Sequence, residues 1–128
     1  MAWATSSTPQ IVESGGAFMG KKLWAFMGSH ADAQTAADIV AAPTNGDSLY
    51  ITHILLVCGN DQDAFPQIQD DAATVLFGPF PSVAATTTPI VYQKEFENPI
   101  KVTANKAIQL HCAAAGLVYV YMEGFTAR

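Results

Sequence analysis

The chain has 128 residues, of which 50% are hydrophobic and 13% charged, with a formal net charge of −5. A chain of this length forms one domain that buries ~68% of its unfolded surface, so it needs neither a structural metal nor disulfides to build a core. The charged fraction is about half the ~25% usual for soluble domains, which leaves a surface that other subunits can cover with little loss of ion hydration. All seven aspartates lie between Lys22 and Lys94, a stretch without Lys or Arg that carries −7. Nucleic acid and anionic membranes need clustered cations, so neither is expected as a partner. The longest apolar run, Ile54-Leu55-Leu56-Val57-Cys58, is far too short to span a bilayer, and the start of the chain lacks the basic and apolar regions of a signal peptide. Synthesis in a reducing cytoplasm follows as the expectation, with Cys58 and Cys112 as buried thiols in preference to a disulfide.

In chain order, residues 1–16 read as an extended N-terminal arm, rich in Ser and Thr, with a short strand at Gln10–Glu13. Residues 17–128 read as one β-domain. Part of Ala17–Met27 is a strand, with Trp24 and Phe26 on one parity and Leu23 and Met27 on the other. Ala31–Ala42 has the alanine content of a helix, but Ile39-Val40 ahead of Pro43 favours an extended segment. After the turn Thr44-Asn45-Gly46-Asp47, Leu49–Cys58 is a central strand. Shorter strands follow at Phe65–Gln69 and Thr74–Phe77, with Asp70-Asp71 at the hairpin tip. Ile90–Phe96 is next, broken at Asn98-Pro99, and then come Ile100–Thr103, Ala107–Cys112 and Leu117–Phe125. The last two alternate strictly. Ile108, Leu110 and Cys112 oppose Gln109 and His111, and Val118, Val120 and Met122 oppose Tyr119 and Tyr121. The expected fold is all-β, a jelly roll or β-sandwich.

No catalytic centre emerges. His30, His53 and His111 lack metal-ligand spacing, and ordinary hydrogen-bonded histidines are the better reading. Asp61, Asp63, Asp70 and Asp71 invite calcium or paired-carboxylate chemistry. Without the glycine and distal glutamate of a calcium loop, they read better as turn residues. Gly15-Gly16 and Gly20-Lys21-Lys22 lack phosphate-loop spacing, and no Gly-x-Ser-x-Gly is present. No catalytic, cofactor or metal site is therefore expected. The interface candidates are the aromatic residues Trp3, Trp24, Phe26, Tyr119 and Tyr121.

The last two thirds of the chain carries a resemblance. Phe96-x-x-Pro99-Ile100-x-Val102-x-Ala104-x-Lys106-Ala107-Ile108-x-Leu110, the run Ala115–Phe125 and the strand Tyr50-Ile51-Thr52-His53-Ile54 resemble small virion proteins of tailed bacteriophages. The resemblance covers roughly residues 45–128. It implies a tumour-necrosis-factor-type jelly roll and a capsid decoration (cement) protein of the virion surface. It also implies a homotrimer whose partner is the major capsid protein, with no cofactor. The alternative is a tail or fibre component that reads a host glycan or protein through loops at Asn60–Asp63 and Gly78–Thr88.

Overall fold

The computed structural model describes Trp3, the backbone of residues 10–13, and residues 21–58, 65–80 and 90–128. Among the described residues, nine strands run in the order β1 (Gln10–Glu13), β2 (Lys22–His30), β3 (Ala37–Val40), β4 (Ser48–Cys58), β5 (Pro66–Asp70), β6 (Val75–Phe77), β7 (Ile90–Lys101), β8 (Ile108–Cys112) and β9 (Val118–Ala127). They form a five-stranded sheet, β1-β2-β9-β4-β7, and a four-stranded sheet, β3-β8-β5-β6. From β2 to β9 the chain changes sheet at every connection except the β5–β6 hairpin. With the antiparallel pairing throughout, this is the double-sheet order of a jelly roll. The all-β expectation holds, and the described residues contain no helix.

Alternation explains why these segments are strands. In β9 the burial pattern is strictly two-periodic from Val118 to Glu123, and β8 repeats it. Trp24, Phe26, Leu49, Ile51, Ile54, Leu56, Val118, Val120 and Met122 face inward from one sheet. They meet Ile39, Ile68, Ile108 and Leu110 from the other. Truncating one of these fully buried aliphatics, Leu56→Ala for example, removes about 2–5 kcal/mol.

Three expectations change. The strand placed within Ala17–Met27 runs on to His30. The ambiguous Ala31–Ala42 segment contains only the four-residue strand β3. The break expected at Asn98-Pro99 is absent, because β7 continues to Lys101 as a sheet edge, where a proline need not donate to a neighbour. The irregularity falls instead on β4, whose register shifts between Ile51 and His53 against both neighbours.

The described residues of the N-terminal arm contact the body. β1 pairs with β2 over Gln10↔Met27 to Glu13↔Trp24. Trp3 donates its indole N–H to the Asp38 carbonyl at 3.0 Å and meets the rings of Phe26 and His30 edge-on at 5.0 and 5.1 Å. It thereby links β2 in one sheet to β3 in the other.

A glycine holds the register of the larger sheet. A β-carbon on Gly124 would stand 2.0 Å from the Tyr50 carbonyl oxygen and 2.5 Å from Cζ2 of Trp24, so the indole lies where a side chain would be. Gly124→Ala should lower stability by about 3 kcal/mol or more, through backbone clash as well as displaced indole. Gly46→Ala, at φ +81° with only the far end of Arg128 nearby, should lose roughly 1–2 kcal/mol. Urea unfolding of both variants checks the ranking, and equal losses would refute it.

Candidate interaction face

The two outer surfaces of the sandwich differ in chemistry. On the four-stranded sheet, Gln67 Nε2 donates to Gln69 Oε1 (2.8 Å), Gln69 Nε2 to Gln109 Oε1 (3.3 Å) and Gln109 Nε2 to Asp38 Oδ1 (2.8 Å). This ladder of amides ends on a carboxylate and lays polar groups across β5, β8 and β3, while Val75 on β6, the register partner of Gln69, is exposed on the same face.

The outer face of the five-stranded sheet is apolar and aromatic around a polar middle. Its rows follow from the register: Met27, Tyr121, Leu55 and Gln93 in one; Ser29, Tyr119, Val57 and Val91 in the next; Leu23, Phe125, Tyr50 and Lys101 towards one end. Leu23, Met27, Val91 and Tyr119 are 54%, 58%, 56% and 46% exposed, so four of the six large exposed hydrophobics among the described residues gather on this one surface. At its end the Tyr50 and Phe125 rings stack at 4.7 Å. The Lys21 ammonium lies 4.6 Å from the Phe125 centroid and that of Lys101 lies 6.0 Å from Tyr50.

The middle of the face carries its polar groups. The Tyr121 hydroxyl donates to Glu123 Oε1 at 2.5 Å, which holds the phenol above its ordinary pKa, with burial adding to the shift. His53 lies 3.9 Å from Glu123 and edge-on to Tyr121, and its Nε2 lies 3.1 Å from the Gln93 amide nitrogen.

Of the five interface candidates, Tyr119 and Tyr121 lie on this face. The other three are turned inward. Trp24 is 3% and Phe26 1% exposed, both deep in the core, and Trp3 packs against its own domain. The pattern was visible in the alternation of Leu23 and Met27 with Trp24 and Phe26, but the larger aromatic pair took the core. The exposed partners are the aliphatic ones, which a search for aromatic anchors passes over.

Among the described residues the chemical candidates do not converge. His30 is buried on the inner side of β2, His53 lies on the apolar outer face, and His111 lies on the amide-covered face opposite Gln67. Among the described residues no group of three or more His, Cys, Asp or Glu is placed to hold a metal. Asp70 Oδ1 accepts the backbone N–H groups of Ala72 and Thr74, and Asp71 lies 3.7 Å from Lys106. Both serve the β5–β6 turn. Asp61 and Asp63, like the Gly15-Gly16 and Gly20 positions, lie outside the described residues, as do residues 81–89 of the second loop. A cleft of about 300 Å³ is lined by Lys22, Val40, Pro43, Thr44, Asp47 and Thr126. Comparison with protein-family models, with curated proteins and with solved structures returned no match.

Cys58 and Cys112 are free and almost fully buried. Burial pushes Cys58 up to about 11 and Cys112 up to about 12, the latter helped by the neighbouring Cys58. Both thiols should therefore resist an aromatic disulfide reagent at pH 8 until the chain is unfolded, when two react; rapid labelling of the folded protein would contradict this. A folded-state value above the unfolded 9.0 also means that this contribution to stability is complete below pH 9 and is lost as pH rises towards 11 and 12. A Cys58→Ala/Cys112→Ala variant should show a shallower alkaline decline in its urea midpoint.

Proposed function

We propose that this protein is a virion structural protein, a capsid decoration (cement) protein that acts as a homotrimer on the shell of a tailed bacteriophage. The observation that carries the reading is the asymmetry of the sandwich, with an amide ladder across β5, β8 and β3 on one outer face, where Val75 is the exposed aliphatic, and an apolar and aromatic surface around a polar row on the other. The four strands β2, β9, β4 and β7, at ~4.8 Å spacing with about ten residues each at ~3.3 Å rise, give a face of roughly 630 Å². That is close to the ~800 Å² each partner contributes to a standard specific contact. The face carries both charge signs, Lys21 and Lys101 at one end and Glu95 and Glu123 in the middle, so the lysine end of one copy can meet the glutamate middle of the next, the head-to-tail contact that a closed trimer uses. The resemblance over residues 45–128 supplies the virion context and the threefold assembly. Bound to a shell, such a trimer would bury additional area between capsomers and raise the barrier to rupture.

A second reading, a tail or fibre component that binds a host glycan, draws on the amide ladder. Fixed planar amides suit the paired hydroxyls of a sugar, and Phe65, 41% exposed, precedes the ladder by two residues. Labelling of tails and not shells in intact particles would favour it.

Two substitutions test the leading proposal. Leu55→Glu and Met27→Glu place a charge in the middle of the apolar face. Each should weaken self-association at least tenfold, or about 1.4 kcal/mol, with the strand signal in circular dichroism unchanged. Asp38→Ala, on the opposite face, should leave assembly as it is. A wild-type protein that sediments as a monomer at micromolar concentration and does not bind expanded capsids would overturn the proposal.

A further inference from the structure

We infer that association across the apolar face is proton-linked, through the side-chain chain Tyr121–Glu123–His53–Gln93 that crosses its middle. This rests on the reading of that face as a contact between copies of the chain. The four groups come from three adjacent strands, β9, β4 and β7, and no other polar chain spans the described part of the face. In the neutral ring, hydrogen bonding assigns the roles. The Gln93 amide nitrogen donates to His53 Nε2, so the ring proton sits on Nδ1, on the side of Glu123. Protonation places a second hydrogen on Nε2. Gln93 then turns its amide so that the oxygen accepts, and the chain stays complete with its groups rearranged.

The charge around His53 sets the direction of the response. On β9 it faces Glu123 and Tyr121. On β7 its register partner is Glu95, with Gln93 beside it, and beyond β9 the same row of β2 presents Ala25. Lys94 pairs with the inward-facing Ile54 and so lies on the other side of the sheet, while Lys21 and Lys101 stand at the end of the face. The row thus holds one imidazole between two carboxylates, at −2 when the ring is neutral and −1 when it is protonated.

Covering the face strips water from both carboxylates and brings up the neighbour's groups, which favours the state of smaller net charge. Each copy then takes up a proton as it assembles. Linkage makes association tighter as pH falls, by up to about tenfold per pH unit for each proton taken up.

Sedimentation velocity of the full chain over a concentration series at pH 7.5, 6.5 and 5.5 tests this. The midpoint concentration for assembly should fall at least tenfold from pH 7.5 to 5.5, and less than threefold for His53→Gln. A Glu95→Gln/Glu123→Gln variant is an independent arm and should assemble at pH 7.5 about as tightly as the wild type does at pH 5.5. Circular dichroism verifies the fold of each. Assembly with a pH-independent midpoint, or an undiminished response in His53→Gln, overturns the proton linkage and leaves the contact standing. A monomer at every pH overturns both.

Discussion

The indole of Trp24 lies against the backbone of Gly124, and this contact keeps β2, β9 and β4 in their relative register. Side chains alternate along a strand, so a slip of one residue in any of the three would exchange the inner and outer sets. Trp24, Met122 and Ile54 would turn to solvent, while Leu23, Tyr121 and Leu55 would enter the core. The apolar outer face is therefore a consequence of the same register that builds the interior. Its rows, including the one that brings Glu123, His53 and Glu95 together, exist only while that register holds.

The bulge between Ile51 and His53 has a part in this. Ile51 and Ile54 are both fully buried although they are three residues apart, which simple alternation does not allow. The shift in register absorbs the extra residue and leaves Tyr50 and His53 both pointing outward. The stack of Tyr50 on Phe125 and the polar row at His53 lie on either side of it. One irregularity thus lets a long central strand serve a core and a charged centre on opposite sides.

Much of the fold was legible in the amino-acid order. The strict alternation of Ile108–Cys112 and Val118–Met122, and the β-branched and aliphatic run of Leu49–Cys58, give strands by period alone. Less legible were the features set by tertiary position. Pro99 looks like a terminator unless its strand is known to be an edge, and the alanines of 31–42 suit a helix until the four-stranded sheet draws Ala37–Val40 to its rim. The candidate face was half legible. Tyr119 and Tyr121 follow from their parity opposite Val118, Val120 and Met122. Trp3, Trp24 and Phe26 were set at an interface by their residue type, yet the first stitches the two sheets together and the others fill the core. His53 gave no local motif, since its partners Glu123 and Gln93 are 70 and 40 residues away along the chain and meet it only across strands.

The central claim is that the outer face of the five-stranded sheet is covered when copies of the chain meet. Hydroxyl-radical footprinting between nanomolar and high micromolar protein tests it most directly, since it reads side-chain exposure residue by residue. Oxidation of Leu23, Met27 and Tyr119 should fall together as concentration rises, while Val75 on the other sheet and Phe65 just ahead of β5 stay equally reactive. Uniform reactivity of all five across the series, or protection confined to Phe65 and Val75, would contradict it.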